Sequence, residues 1–303
     1  MRRNALIRFA GGMARWAVAM GMVLVGTAAT ANASTLLFLE DGNSHVDLCV
    51  SDCGSLPAGA NGWTVDDVNR LYQEWFWYRI DPDPLPAVSD PGRRLDLIGS
   101  PSYTGGGGST ASVTYENDVV KATIDYTLSG GFLGSNTSTL QEIVTLTNKS
   151  STGSVWLNLF QYSDFDMCGA GSADNAAIGG SGGSLVATQT GSCDAIMSQT
   201  FADGTSHFDA SEAGTIPATV EAGLDLADNP SVGGVDAASG FQWTSYADSL
   251  NFASENNTGT NVKIFGITKV VAPAVPEPMS ILLLGTGLLG IGRTARRRRH
   301  AAV

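Results

Sequence analysis

The stretch that decides the fold is Val119-Val120-Lys121-Ala122-Thr123-Ile124-Asp125-Tyr126-Thr127-Leu128-Ser129. Apolar and polar side chains alternate along it, and successive side chains of a β-strand point to opposite faces of the sheet. One face would carry Val120, Ala122, Ile124, Tyr126 and Leu128, and the other Lys121, Thr123, Asp125 and Thr127. The pattern therefore predicts a strand with one buried face and one face in water.

Similar segments recur along the rest of the chain, separated by polar turns such as Glu116-Asn117-Asp118. They are Ser112–Tyr115, Thr139–Asn148, Ser154–Met167, Ser184–Thr190, Ala195–Phe201, Ala218–Ala222, Phe241–Ala247 and Val262–Val271. Long strands joined by polar turns are typical of antiparallel sheets packed face to face. The sequence predicts a mainly β protein, an antiparallel two-sheet β-sandwich of jelly-roll or lectin-like type.

The region before these strands has a mixed pattern. Thr35–Leu39 indicates a first short strand, residues 41–62 are rich in turn formers, and Trp75–Ile80 is a dense aromatic strand. Between them, Thr64 resembles a helix N-cap, and apolar residues follow it at helical spacing. We predict one short helix near residues 65–74.

The N-terminus has the features of a secretory leader. Four arginines and no acid lie in the first fifteen residues, and an apolar run follows them. Ala31 and Ala33 then form a small-x-small cleavage site, with the cut before Ser34. We predict a signal peptide over 1–33 that forms a signal helix, and an exported domain over 34–271.

The C-terminus has three consecutive parts, which follow a linker that begins at residue 272. The first is Val275-Pro276-Glu277-Pro278, the second an apolar helix, and the third a basic stop. The apolar part contains Met279, Leu282, Leu283, Leu284, Gly285, Gly287, Leu288, Leu289 and Ile291, and the basic part contains Arg293, Arg296, Arg297, Arg298 and Arg299. Because a bilayer span needs ~20 residues, this helix predicts marginal, temporary anchoring with the arginines on the cytoplasmic side.

These three parts, within residues 275–300, closely resemble the PEP-CTERM sorting signal of Gram-negative bacteria. The resemblance implies that an exosortase, a membrane cysteine protease or transpeptidase, recognises the tail and acts near Pro276–Pro278. It implies passage through the export machinery and transient insertion in the inner membrane. The product would then be released to, or attached at, the surface of a cell that makes exopolysaccharide.

The exported part is more acidic than the whole chain. Four of the 17 Lys and Arg residues lie in the leader and five in the tail, which leaves eight against 29 acids over 34–278, a net charge near −21. Such a charge repels nucleic acid and anionic lipid and attracts divalent cations. We therefore expect no nucleic-acid partner.

Four cysteines, Cys49, Cys53, Cys168 and Cys193, lie in the exported part. An even count in an oxidising compartment predicts two disulfides, and short loop closure favours Cys49–Cys53 and Cys168–Cys193. The second bond would close a connector, 169–192, made mostly of small and polar residues. Zinc is the competing interpretation, with poor support because only His45 lies near the Cys-x3-Cys pair.

Candidate functional residues are few. Asp164 and Asp166 would share a strand face with Tyr162, so the pair has three interpretations: a polar solvent face, a Ca2+ site, or an acid–base pair for glycoside hydrolysis. Another set is aromatic: Trp63, Trp75, Phe76, Trp77, Tyr78, Trp156 and Trp243. These rings would either pack in the core or stack on sugars.

The chain contains no nucleophile elbow, zinc-protease helix, phosphate loop or Cys-x-x-Cys motif. We therefore expect no catalytic residue and no firm cofactor, with Ca2+ at Asp164 and Asp166 as the weak candidate. The preferred hypothesis is an exported, non-catalytic protein of the cell surface or exopolysaccharide matrix. Alternatives are a secreted carbohydrate-binding or carbohydrate-active protein and, third, an ice or ligand binder.

Overall fold

The structure is a computed structural model, and every structural statement below concerns the part of the chain that it describes. That part is residues 35–51, 58–82, 91–95, 99, 101–149, 154–168, 173–181, 184–193, 195–202, 204–248, 251–252 and 262–274. The predicted signal helix and the predicted apolar helix after Pro278 lie outside these residues. Within them, no helix has the length and apolar character needed to cross a bilayer.

The described residues are mainly strand, with one short helix. The first strands are β1 Thr35–Asp41, β2 Ser44–Ser51, β3 Gly59–Val65, β4 Val68–Leu71, β5 Gln73–Pro82, β6 Arg93–Arg94, β7 Ser102–Gly105, β8 Thr110–Glu116, β9 Val120–Gly130 and β10 Ser138–Asn148. They are followed by β11 Ser154–Asp164, β12 Asp174–Ser181, β13 Ser184–Thr190, β14 Ala195–Ala202, β15 His207–Glu212, α1 Thr215–Glu221, β16 Ser231–Val235, β17 Ala237–Asp248, β18 Asn251–Phe252 and β19 Val262–Pro273. The mainly β prediction is confirmed.

Hydrogen bonding divides the strands into three antiparallel sheets. A 4-stranded sheet has the order β1-β2-β3-β4, and a 9-stranded sheet has the order β16-β12-β13-β14-β19-β10-β9-β8-β7. A 6-stranded sheet has the order β15-β17-β11-β5-β6, with β18 beside β17. The last strand, β19, lies in the middle of the largest sheet between β14 and β10, so the C-terminal end of the described chain is fixed inside the fold.

The alternating stretch that opened the sequence analysis forms β9 as predicted. Its five apolar side chains are all buried, and Asp125 and Thr127 are exposed on the other face. The turn before it is also confirmed, because the Asn117 side-chain Oδ1 accepts hydrogen bonds from Val119 N and Val120 N, both at 2.8 Å. Alternation and turn chemistry were sufficient here.

The short helix predicted near 65–74 is wrong. Asp66 and Asp67 have φ of 48° and 62°, the left-handed conformation of a tight turn, and they connect β3 to β4. The Asp66 carboxylate accepts hydrogen bonds from Gly134 N at 2.5 Å and Asn136 N at 2.7 Å, so its side chain fixes the turn and a loop of another sheet. The apolar spacing was that of a hairpin.

The helix lies instead at Thr215–Glu221, where the pattern predicted a strand over Ala218–Ala222. Ile216 and Val220 lie on its buried side, one helical turn apart, and they pack against Trp77 and Phe160. Pro217 falls in the first turn, where its missing N–H costs nothing. The turn-rich prediction for 41–62 was also wrong, since β2 and the start of β3 occupy much of it.

The two larger sheets face each other across an aromatic core. The Phe201 ring of β14 lies 5.3 Å from the Phe241 ring of β17, and the Phe265 ring of β19 lies 4.7 Å from the Trp243 ring of β17. These centroid distances join the 9-stranded sheet to the 6-stranded sheet. Trp63 of the 4-stranded sheet is part of the same core and is fully buried.

Candidate metal centre

Three aspartates meet where β11 ends. Asp164 is its last residue, Asp166 follows after one residue, and Asp236 immediately precedes β17. One carboxylate oxygen from each lies within 4.8 Å of the others. The structure therefore brings together the two aspartates predicted from the sequence. It adds Asp236, which no local sequence pattern marks, because the pairing of β17 with β11 places it there.

The cluster is deeply buried. Asp164 is 2% exposed and Asp166 is 3% exposed, while Asp236 is partly buried. The interpretation of Asp164 and Asp166 as a polar solvent face is wrong. The reason is that the 9-stranded sheet reaches this end of β11, where Gln189 of β13 contacts Phe165 O and Ala237 O. Strand alternation alone does not say which face another sheet covers.

Two oxygens of the cluster have no hydrogen-bond partner among the described residues. Asp164 Oδ2 accepts a hydrogen bond from the Tyr162 hydroxyl at 3.2 Å, but its Oδ1 is buried and unpartnered. Asp236 Oδ1 is likewise buried and unpartnered. A buried carboxylate oxygen without a partner is strongly destabilising, so each of these oxygens needs a proton or a cation.

The backbone around the cluster is held rigidly by Gln189 of β13. Its Nε2 lies 2.5 Å from Asp174 Oδ2, 2.6 Å from Phe165 O and 2.7 Å from Ala237 O. Asp174 Oδ1 accepts a hydrogen bond from Ala237 N at 2.8 Å, so this fourth buried carboxylate binds backbone and amide groups rather than the other three aspartates. The amide therefore connects the segments that carry Asp164, Asp166 and Asp236.

A disulfide fixes the same segment from its other end. Cys168 and Cys193 are bonded, with Cα atoms 5.6 Å apart, as predicted. Between this bond and Asp166, Met167 O accepts a hydrogen bond from Arg70 Nη1 at 2.8 Å. The predicted connector 169–192 contains the hairpin of β12 and β13, because its few apolar residues face the core. Cys49 is also disulfide-bonded, and its predicted partner Cys53 lies outside the described residues.

The electrostatics of the cluster follow from burial and like charge. The pKa of Asp164 is raised to about 7, mainly by desolvation and in part by the neighbouring carboxylates of Asp236 and Asp166. Desolvation also raises the pKa of Asp174. The neighbouring charges that contribute most to the shift of Asp164 are carboxylates. The site would therefore hold either a shared proton or a cation.

The donor set favours a hard cation. The ligands on offer are carboxylate oxygens, which Ca2+ and Mg2+ prefer, and no imidazole or thiolate belongs to the cluster. Ca2+ tolerates irregular ligand geometry better than Mg2+, which demands a near-ideal octahedron. These residues fit a Ca2+ ion.

The aromatic set is mainly core. Trp63, Phe76, Trp77 and Trp243 are buried, so the core-packing interpretation is confirmed for them. Trp75 and Trp77 do project to one side of β5, with ring centroids 5.5 Å apart, but helix α1 and Tyr162 pack on that side. Stacking on a sugar is therefore not available to the Trp77 ring.

Several predicted site residues lie outside the described residues. They are Ala31, Ala33 and Ser34 of the cleavage site, Cys53, and all of the sorting tail from Val275 to Arg299.

Comparison with known proteins adds no family to this picture: no protein-family model matches the chain, and no curated protein matches its sequence.

Proposed function

We propose that this chain is an exported, non-catalytic β-sandwich protein of the cell surface or exopolysaccharide matrix, whose fold is completed by a Ca2+ ion at Asp164, Asp166 and Asp236. The two larger sheets would be the layers of the sandwich, in a jelly-roll or lectin-like arrangement. The observation that carries the Ca2+ assignment is the buried, unpartnered Asp164 Oδ1 beside two further carboxylates.

Support for export comes from the sequence and from one bond. The leader, the acidic mature charge and the PEP-CTERM-like tail point to the cell exterior. The Cys168–Cys193 bond is consistent with that destination, because disulfides persist in oxidising compartments. Exosortase recognition of Val275–Pro278, transient membrane insertion through the apolar helix, and the matrix as final location are parts of this proposal.

A structural role for the ion fits the depth of the site. Asp164 and Asp166 are almost fully covered, which suits a small ion better than a polysaccharide chain as the ligand of their carboxylates. An ion there would bind the end of β11 to the turn before β17. Extracellular modules use Ca2+ in this way with Kd of about 10⁻⁴–10⁻³ M.

The Ca2+ assignment is tested on the exported protein after treatment with chelator. Thermal unfolding should shift to higher temperature on addition of Ca2+, and isothermal titration should show one binding event. Asp164→Asn should abolish both effects. Asp125→Asn is the matched control, since Asp125 is an exposed aspartate on a strand of another sheet. If millimolar Ca2+ leaves the unfolding temperature of the chelator-treated wild type unchanged and no binding is detected, the assignment is contradicted.

The sorting proposal is tested by mass spectrometry of the protein recovered from an exosortase-bearing host. The expected C-terminus lies near Pro276–Pro278. A mature protein that still ends in Arg296–Arg299 would rule out processing.

A second function rests on the pKa of Asp164, which is raised to about 7 and so lies in the range useful to a general acid. It would make the chain a secreted carbohydrate-active or carbohydrate-binding protein. A glycan array with and without Ca2+, together with a polysaccharide-depolymerisation assay, separates the two. Depolymerisation that is lost in Asp164→Asn would replace the non-catalytic proposal.

A further inference from the structure

A second cluster of charged side chains lies in the middle of the core. Glu74 of β5, Glu142 of β10 and Lys269 of β19 are all fully buried. The Lys269 Nζ lies 2.6 Å from Glu74 Oε1 and 2.6 Å from Glu142 Oε2. The trio therefore joins the two facing sheets at a point to which water has no access.

Polar side chains of neighbouring strands surround the trio, and Gln161 Nε2 also donates to the Ser163 hydroxyl. Gln161 Nε2 donates to Glu74 Oε1 at 2.8 Å, and Gln199 Nε2 donates to Gln161 Oε1 at 2.6 Å. Among the described residues, Glu74 Oε2 and Glu142 Oε1 have no hydrogen-bond partner. Glu74 is thus oriented by the Gln161 amide through its other oxygen.

The charges of the trio do not balance unless one carboxyl is protonated. Two carboxyl groups face one lysine side chain, with Nζ 2.6 Å from an oxygen of each. Desolvation, followed by the charge of Glu74, raises the pKa of Glu142 well above its usual value. Glu142 is therefore the carboxyl group of the trio that retains a proton.

We propose that Lys269 and Glu142 condense into an intramolecular amide bond, with the buried Glu74 carboxylate transferring the protons. This is an isopeptide cross-link between β19 and β10. It is a modification of the chain by its own residues and is independent of the Ca2+ site.

The step balances without a further reagent. Glu74 takes a proton from the Lys269 ammonium, and the resulting amine attacks the Glu142 carboxyl carbon. The new C–N bond forms as the C–OH bond breaks, and Glu74 delivers a proton to the leaving hydroxyl, which departs as water. The amine loses a second proton, which remains on Glu74. The products are a neutral amide, a neutral Glu74 carboxylic acid and one water.

The geometry is close to that of attack. A carboxyl oxygen hydrogen-bonded at 2.6 Å places its carbon about 3–3.5 Å from the amine nitrogen, the range of a near-attack arrangement. The Glu terminal torsion is broad, so it can turn the carboxyl face towards the nitrogen. On β19, Lys269 pairs with Leu140, so Glu142 is its diagonal neighbour on the same inner face.

Burial also supplies the driving force. An ammonium and a carboxylate without water are each costly, and condensation removes both charges from the core. The released water leaves an interior that gives it no route back. In water the balance is opposite, so the exposed ion pair Lys149–Glu116, at 34% and 44% exposure, should stay unlinked.

The experiment is intact-mass and tryptic-peptide analysis of the folded chain under denaturing, reducing conditions. We expect a mass lower by one water than the same chain with its disulfides reduced and no cross-link. Trypsin should fail to cut after Lys269, and the peptide that contains it should be joined to peptide 122–149, which contains Glu142. Cleavage after Lys149 and Lys263 should be normal and provides the internal control.

The same chain purified unfolded in denaturant provides the time-zero control: it should show the full mass and lose one water only on refolding. Glu74→Gln should slow that loss at least tenfold, and Lys269→Arg should prevent it while keeping a cation in place. A refolded wild-type chain with the full mass and free peptide 264–269 would overturn the proposal. A link from Lys269 to Glu74 would overturn the choice of Glu142.

Discussion

The aspartate cluster and the Glu74–Glu142–Lys269 trio both place carboxyl groups in the interior of the protein, yet they differ in one component. Before the proposed cross-link forms, the trio has its own amine, with Nζ 2.6 Å from each of two carboxyl oxygens. The aspartate cluster consists of carboxyl groups alone, and buried oxygens of Asp164 and Asp236 have no hydrogen-bond partner among the described residues. Buried carboxylates need a positive charge or a proton, so the chain supplies the cation in one place and takes it from solution in the other.

Their positions explain this difference. The trio lies on the regular inner faces of β5, β10 and β19, where a long side chain from the facing sheet reaches across the core. The aspartates lie at the end of β11 and in the turn before β17, where backbone irregularity allows several carboxylates to converge. An ion at a strand end exchanges with solvent more readily than a group in the centre of the core.

Removing the internal cation should have the largest effect. Lys269→Met removes the amine, and with it both the ion pairs and the proposed cross-link, and leaves two buried carboxyls without a partner, so we expect unfolding free energy to fall by about 3–5 kcal/mol. Urea unfolding measures this. Lys263→Met, on the same strand but partly exposed, is the control and should change the free energy by less than about 0.5 kcal/mol. Equal losses of unfolding free energy in the two variants would mean that the buried contacts of Lys269 do not stabilise the fold.

Removing the disulfide should lower the stability of the fold and disturb the aspartate cluster, but not the Glu74–Glu142–Lys269 trio. The double change Cys168→Ser and Cys193→Ser opens a loop with sequence separation 25, worth about 3 kcal/mol in the chain-entropy model. Because Cys168 holds the segment that carries Asp166, Ca2+ affinity should fall as well. Calorimetric titration measures the affinity, and an unchanged Kd would separate the disulfide from the site. The mass of the joined tryptic peptides that contain Glu142 and Lys269 should not change.

The effect of Asp164→Asn on the unfolding free energy should be opposite in sign with and without Ca2+. In chelator, Asp164→Asn removes a repelled carboxylate and should raise unfolding free energy by about 1–2 kcal/mol. In Ca2+ at 100 times its Kd, the wild type should gain about 2.7 kcal/mol that the variant lacks. Unfolding curves should therefore show the variant as the more stable protein in chelator and the wild type as the more stable protein in Ca2+. The same ranking in chelator and Ca2+ would contradict a metal role.

The smallest effect is on pH dependence. The folded pKa of Asp164 is raised to about 7 from a usual value of 3.8, so between these values the folded chain retains a proton that the unfolded chain has released. Unfolding free energy of the metal-free protein should therefore fall as pH rises, by about 1 kcal/mol from pH 5.5 to 6.5. Above about 7 the contribution of Asp164 should level off.

Chemical denaturation over that pH range provides the measurement. Asp164→Asn should remove this part of the slope. Saturating Ca2+ should flatten the slope, because the ion needs the carboxylate form. A slope unaffected by both changes would show that Asp164 titrates normally.

The accuracy of the sequence predictions depended on how local the determining contacts were. The strand β9 and its Asn117 turn need only alternation and one side chain that caps its own backbone, and both were correct. The helix near 65–74 was wrong because the left-handed turn at Asp66 and Asp67 is stabilised by a distant loop at Gly134 and Asn136. Helix α1 was missed because its apolar side is only two residues, Ile216 and Val220, that need Trp77 to pack against.

The candidate sites show the same limit. Asp164 and Asp166 are neighbours on one strand, so their pairing was visible, but their burial was not. Asp236, Glu74 and Lys269 are single charged residues in ordinary strand patterns, and nothing nearby in the chain marks them.

The sequence by itself determined that this is a mainly β chain with a disulfide at Cys168–Cys193, because strand alternation and short loop closure are local. It also contains the predicted leader and sorting tail, which we propose export enzymes recognise as linear segments. Only the tertiary structure decided which charges lose their water. Desolvation depends on what covers a residue, and the groups that cover Asp164 and Lys269 come from strands far away in the chain.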